Sequence, residues 1–202
     1  MLTRIFLILF LMTGQAVAES SAAKLIGHEK RALKAMKEDR LASLLRPGAG
    51  TFTYSKSWLD QQKAAKGGTE WRCLSEALYF EARGETVKGQ FAVGEVILNR
   101  VDNPEYPNTV CGVINQGTGR KYACQFTYTC DGHKEVIGEP RAFDRVSKVA
   151  SLLIGGAPRK LTKGATHYHT RAVNPRWSRT FPRTATIGVH HFYRQPTRVS
   201  QN

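Results

Sequence analysis

Glu81 follows the apolar run Ala77-Leu78-Tyr79-Phe80 and precedes Ala82-Arg83-Gly84-Glu85. A carboxylate at the end of such a helix, directly after two aromatic rings, is poorly solvated, so its charged form is disfavoured and its pKa rises. A carboxylic acid still protonated near neutral pH is what cleavage of a glycosidic bond requires, because the leaving oxygen must receive a proton. A hydrolytic pair would need a second carboxyl across the bond, about 5–5.5 Å away for retention or about 6.5–9.5 Å for inversion. Glu85 lies four residues on and projects from the same wall, which suits a groove or hydrogen-bonding residue, or a structural one, better than a flanking partner. Glu76 and Glu95 stay open as second carboxylates. Further on, Gln125-Phe126-Thr127-Tyr128 offers an amide and two ring faces, and Asn174 with Trp177 offers another amide and another ring. His167 and His169 alternate with Tyr168, so on a strand both histidines share the face opposite the tyrosine. With His190 and His191 they are the one group that resembles a metal cluster, but no His-Glu-x-x-His word is present and no metal ligand is assigned.

The elements that must position these groups follow from periodicity. Residues 71–83 form a helix with Leu74, Ala77, Leu78 and Glu81 at helical spacing, interrupted by Gly84. Thr86 caps a second helix at 87–101, with Phe91, Val93, Val96, Ile97 and Val101 facing inward and Pro104 and Pro107 forbidding its continuation. A third spans 142–154, with Val146, Val149, Ala150 and Leu153 on one side and Gly155-Gly156 at its end. The alternating runs at 165–171 and 186–194 read as short strands. Helices first and strands last imply an α+β domain of about 125 residues, enough for one core.

Upstream, the chain changes character. Arg4, an apolar run at 5–12 and Ala16-Val17-Ala18 have the form of an export signal over residues 1–18. The run is shorter than the roughly 20 residues that a membrane-spanning helix takes. Residues 19–66 form a basic segment and linker, with a lysine- and arginine-rich helix at 29–45 stopped by Arg46-Pro47-Gly48, and with Trp58 expected to pack on the domain that follows. The catalytic domain is placed at 67–195, with a tail at 196–202. The whole chain holds 30 Lys and Arg against 16 Asp and Glu; without Arg4 this leaves a net +13. Such a field favours a polyanion: a carboxylate-bearing wall, anionic lipid or lipopolysaccharide, with the basic N-terminal segment either a weakly packed outer helix or a tether to an anionic surface. No aromatic-and-basic repeat of the single-strand nucleic-acid binders is seen. Cys73, Cys111, Cys124 and Cys130 make an even set in an exported chain, read as two disulfides with three possible pairings. Proximity favours Cys124 with Cys130, leaving Cys73 for Cys111. No Cys-x-x-Cys pair points to zinc.

Several separated words carry a resemblance. These are residues 71–85, the stretch from Gly89 to Val101 that holds Gly94-Glu95-Val96-Ile97-Leu98-Asn99-Arg100, then Cys124-Gln125-Phe126-Thr127-Tyr128-Thr129-Cys130, Ala165-Thr166-His167-Tyr168-His169, and Asn174-Pro175-Arg176-Trp177. Over roughly residues 58–195 they closely resemble the cell-wall hydrolase family of the spore cortex-lytic enzymes (the SleB/CwlJ type), in its cysteine-bearing periplasmic form from Gram-negative bacteria. The resemblance implies a lysozyme-like helical core with a small antiparallel sheet and a glycan-binding groove. It also implies lytic cleavage between N-acetylmuramic acid and N-acetylglucosamine, with no cofactor and with Glu81 as the catalytic acid. The groove residues would be Glu85, Gln125, Phe126, Tyr128, His167, Tyr168, Asn174 and Trp177. Two rival readings stay open: a zinc amidase cutting the muramoyl–alanine bond through the histidines, and a wall-binding protein without catalysis.

Overall fold

The structure, a computed structural model, describes residues 26, 27, 30, 52–120 and 123–196. The signal at 1–18, all but Lys30 of the basic helix at 29–45, and the tail beyond 196 lie outside the described residues; Ile26, Gly27 and Lys30 are helical. Contacts divide the chain into two compact units, residues 1–51 and 52–202.

In the second unit, α1 (Lys56–Asp60) is capped by Ser55, whose hydroxyl accepts from the Trp58 N–H. It is followed by α2 (Thr69–Ala82), α3 (Val87–Val101), α4 (Val110–Ile114), a 3-10 turn at Thr127–Thr129, and α5 (Pro140–Ile154). Then come β1 (His167–Thr170), a second 3-10 turn at Arg176–Arg179, β2 (Arg183–Ile187) and β3 (His190–Tyr193). The strands make an antiparallel sheet in the order β1-β3-β2. Helical core and small antiparallel sheet give the α+β class expected from the order of elements.

Helix α3 is the axis of this arrangement. Every residue from Gly89 to Ile97 is buried, as in a helix apolar all round. One side of α3 meets α2 and α5 in the larger core, through Phe91, Val93 and Ile97. On its other side Ala92 and Val96 pack on Ala165 and Phe192 under the sheet. Gly94 permits the approach to α5: a Cβ there would lie 2.4 Å from Leu153 Cδ1. Thr86 caps α3 by accepting from the Gly89 N–H, as its place before the helix predicts. Trp71 fastens α2 to α5 by donating its indole N–H to the Ser147 carbonyl. Helix α5 begins at Pro140, two residues ahead of its apolar stripe, because proline at the first helical position lacks only an N–H with no partner there. The linker residues Phe52, Tyr54 and Trp58 gather around Phe91, with ring centroids 6.2, 5.1 and 6.1 Å from it, and Leu59 is fully buried. Trp58 thus packs on the domain as expected.

The sequence run at 186–194, read as one strand, is a hairpin. Gly188 takes φ +59°, a backbone state that side chains disfavour, and reverses the chain between Ile187 and His190 in a two-residue loop. The first half of β2, from Arg183, follows Pro182 and carries no apolar alternation that would announce a strand. Both disulfides are present: Cys73–Cys111 ties α2 to α4, and Cys124–Cys130 closes the loop ahead of α5.

Candidate active site

Glu81 occupies the last turn of α2, half-buried between the exposed end of the helix and the sheet. Tyr168, on β1, donates its phenol O–H to Glu81 Oε2 at 3.3 Å. Burial pushes the Glu81 carboxyl above the usual carboxylate range, while the Tyr168 hydrogen bond and the charge of Arg100 pull it back. Arg100, in the last turn of α3, is only 3 % exposed. Its Nε donates to the Thr166 carbonyl at 2.7 Å, its guanidinium lies 5.6 and 5.7 Å from the Tyr106 and Phe126 ring centres, and its Nη1 has no hydrogen-bond partner among the described residues. Burial lowers the Arg100 pKa, and the charges of Tyr106, Tyr168 and Glu81 oppose that. The arrangement suits a group that gives up a proton and later takes one back. Desolvation favours the protonated form of Glu81, and the Tyr168 phenol and the Arg100 charge favour its ionised form.

Phe80, the residue before Glu81, stacks on Tyr128 with ring centres 4.6 Å apart and planes at 20°. Tyr128 belongs to the loop closed by Cys124–Cys130. Burial raises its phenol pKa, helped by the charges of Glu76, Glu81 and Glu135, so carboxylates gather at this ring. An open cleft of about 400 Å³ runs beside it, lined by Cys73, Glu76, Asn115, Tyr128, Thr129 and Glu135. Phe126 is buried in the core, under Arg100, and Gln125 is exposed, its backbone N–H donating to the Gln116 carbonyl.

The other glutamates separate by environment. Glu85 reaches the β2–β3 hairpin, where its Oε1 lies 3.6 Å from His190 Nδ1. A Cβ on Gly188 would come within 2.8 Å of Glu85 Oε2, so the glycine makes room for this carboxylate. His190 in turn stands edge-on to Tyr168, at 5.3 Å and 80°. Burial lowers the His190 imidazole pKa, and Glu85 works against that. Glu95, open as a second carboxylate on sequence, is a structural group: it is 0 % exposed and accepts from the Leu161 N–H, the Thr162 N–H and the Thr162 hydroxyl. With all its bonds directed to the loop before β1, it faces no groove. Glu76 pairs with Arg72 at 2.9 Å on the cleft wall.

The sheet sorts the remaining nominated residues by face. Tyr168 points toward α3 and Glu81, whereas His167 and His169 point to the opposite side, as alternation predicts. There Trp177 packs against His167, His169 and Tyr193, with centroids 4.9, 5.6 and 5.3 Å away. Burial, then Arg100, lowers the His167 pKa to about 4. Asn174 is exposed and accepts from the Ser178 hydroxyl. So of the residues named from sequence, Tyr168, Tyr128 and Glu85 gather on the Glu81 side, and His167 and Trp177 do not. Neighbouring residues of β3, His190 and His191 fall on different faces, so the four histidines do not converge. Among the described residues no three His, Cys, Asp or Glu side chains are placed to share a metal ion. Sequence reasoning passed over Arg100. Its one signal was a charge in the last turn of a mostly apolar helix.

The geometry can be set beside known proteins. The chain is 35% identical over 123 residues to the spore cortex-lytic enzyme of Bacillus subtilis (strain 168), a match taking in 60% of this chain and 36% of that protein. It is 37% identical over 122 residues to the spore cortex-lytic enzyme of Halalkalibacterium halodurans, covering 59% and 33%. The match thus spans about a third of the length of these relatives. Among solved structures, the catalytic domain of the germination-specific lytic transglycosylase SleB from Bacillus anthracis is similar at 32% identity and TM-score 0.49, over 64% of this chain and 97% of that one. The catalytic domain of the Bacillus cereus SleB protein gives 29% identity and TM-score 0.46, over 73% and 100%. The cell wall hydrolase family matches residues 84–193, from three residues past Glu81 through α3, the disulfide loop, α5 and all three strands. That is more than half of its length, and the chain belongs to the cell wall hydrolase family.

Proposed function

We propose that this protein cuts the glycan strands of peptidoglycan between N-acetylmuramic acid and N-acetylglucosamine as a lytic transglycosylase, with Glu81 as acid and then base. The observation that carries the reading is the Glu81 carboxyl itself: raised by burial, yet within hydrogen-bond reach of a phenol and under the field of a buried arginine. Family membership and the names of its relatives support the substrate class.

Glu81 gives its proton to the glycosidic oxygen as the bond from C1 to that oxygen breaks. The C6 hydroxyl of the muramoyl sugar then bonds to C1 and loses its proton to Glu81. This closes a 1,6-anhydro ring and restores the acid. No water is consumed, so no second carboxylate is needed to activate one, in keeping with Glu95 being buried in the core and Glu76 being paired with Arg72. Tyr168 and Arg100 steady the carboxylate between the two transfers. The Phe80–Tyr128 stack offers ring faces to sugars beside Glu81, and Glu85 holds the hairpin that carries His190 against Tyr168. In this reading residues 67–195 form the catalytic domain, braced by Phe52, Tyr54 and Trp58. Residues 1–18 direct export, and the protein works in the periplasm, associated with the wall. Among the described residues the histidines of the sheet divide between its two faces, which does not favour an amidase.

Purified sacculi digested in EDTA test this. Anhydro-ended muropeptides released at an undiminished rate are expected. Loss of release in EDTA, with a hydrolysed muramoyl–alanine bond in its absence, would replace the reading with the amidase; sacculi bound without release would leave only wall binding.

A further inference from the structure

The sixteen carboxylate residues of this chain all precede residue 145. From residue 145 onward the chain carries arginines and lysines and not one Asp or Glu. All three strands and the turn that bears Trp177 lie in this acid-free stretch. We propose that the face of the sheet turned away from Glu81 is a second docking surface, which holds the carboxylate-bearing glycan strands next to the one being cut. The choice of polymer rests on the proposed function; the surface itself does not.

Four exposed arginines define it: Arg171 after β1, Arg176 and Arg179 in the Trp177 turn, and Arg183 opening β2. Arg72, Arg83 and Arg159 each pair with a carboxylate, but among the described residues none of these four does. Arg171 Nη2 donates to the Gly188 carbonyl at 3.4 Å. Arg183 stands opposite Tyr193, on the face of His167 and His169. Partial burial, then Arg183, the His169 ring and Arg171, lower the His191 pKa, so the two arginine charges crowd one region. Self-repulsion of this kind is relieved by an anion. Guanidinium forks match carboxylates with two parallel hydrogen bonds. On the same face the half-exposed rings of Trp177 and His169 offer flat surfaces on which sugar rings can lie. Cations and rings on one face fit an anionic carbohydrate. Tyr168 and Glu81 are on the other side of the sheet, so a strand held here is retained and not cut; a second contact raises occupancy through effective concentration.

The test uses the full chain carrying Glu81→Gln, so that binding is read without cleavage. Binding to sacculi is measured for this protein, for a version with Arg171, Arg176, Arg179 and Arg183 all changed to Gln, and for a control with Lys63, Lys66, Lys88 and Arg141 changed to Gln. The control loses the same charge from exposed positions elsewhere in the unit. The sheet version is expected to bind about tenfold more weakly and the control to stay within about twofold of the parent. Amidating the sacculus carboxyls should bring the parent down to the level of the sheet version. With Glu81 restored, the sheet version should still cut short soluble glycan fragments. Equal weakening in both versions would reduce the effect to net charge and overturn the proposal, as would unchanged binding or indifference to amidation. Sheet-dependent binding to phosphatidylglycerol vesicles in place of sacculi would overturn the choice of occupant. A wild-type protein that cuts nothing would remove the proposed activity while leaving this binding result standing.

Discussion

Removing each disulfide in turn should affect stability and activity in opposite order. Cys73–Cys111 closes a loop of 38 residues and Cys124–Cys130 one of 6. In the chain-entropy treatment, the cost of freeing a loop grows with the logarithm of its length, giving about 4 kcal/mol for the long loop and about 2 kcal/mol for the short one. With a urea dependence of about 2 kcal/mol per molar, the Cys73→Ser/Cys111→Ser protein should lose about 2 M in unfolding midpoint and the Cys124→Ser/Cys130→Ser protein about 1 M. Turnover should follow the reverse order. Cys73 is eight residues ahead of Glu81 on α2, about 12 Å along the helix, and its bridge leads away to α4. The short bridge holds the loop whose Tyr128 ring lies on Phe80, next to Glu81. Releasing that ring should lower anhydro-muropeptide release by roughly 10- to 100-fold in protein that is still folded. The assays are urea melts by circular dichroism and fragment release from sacculi, both without reductant. A short-bridge variant that is fully active, or that loses more stability than the long-bridge variant, would refute the reasoning.

Tyr168→Phe removes a hydrogen bond that favours the ionised form of Glu81. The Glu81 pKa should rise further, and the alkaline limb of kcat/KM, where the acid loses its proton, should move to higher pH; a limb that stays in place would contradict the assignment. Glu95→Gln should cost about 2–4 kcal/mol in urea unfolding, because three donors then face a neutral amide whose NH2 meets another N–H. The folded fraction should still cut glycan, whereas an inactive but fully stable protein would return Glu95 to the chemistry. His167, with its folded pKa lowered to about 4 from 6.5, binds its proton more weakly when folded than when unfolded. Stability is therefore lost as pH falls from about 6.5 toward 4, and His167→Gln should flatten that part of the midpoint-against-pH curve.

Helices α2, α3 and α5 were legible because their apolar residues recur every three or four positions and because Thr86 and Gly84 mark a start and a stop. The hairpin was not: Thr186, Ile187, Val189, His190 and Phe192 look like one strand, and only the φ of Gly188 shows the reversal. Alternation placed His167 and His169 opposite Tyr168, but it cannot say which face meets α2, since that depends on contacts across 87 residues such as Tyr168 to Glu81. Glu95 and Glu81 look alike in sequence, each embedded in an apolar helix. What separates them is the backbone of Leu161 and Thr162, which satisfies Glu95 from 66 and 67 residues away. The place of Arg100 was hidden for the same reason, its acceptor being the carbonyl of Thr166.

The central claim is that one carboxyl, Glu81, serves as acid and then base. Glu81→Gln keeps the shape of the side chain and can neither give nor receive the proton. The most direct measurement is mass spectrometry of muropeptides released from sacculi by the wild-type and Glu81→Gln proteins at equal folded concentration. The wild type should release 1,6-anhydro ends, about 18 mass units below hydrolysed ends because the nucleophile comes from within the sugar and no water is added. Glu81→Gln should release none while still binding the wall. Anhydro ends at the wild-type rate from Glu81→Gln, or hydrated reducing ends as the first product of the wild type, would contradict it.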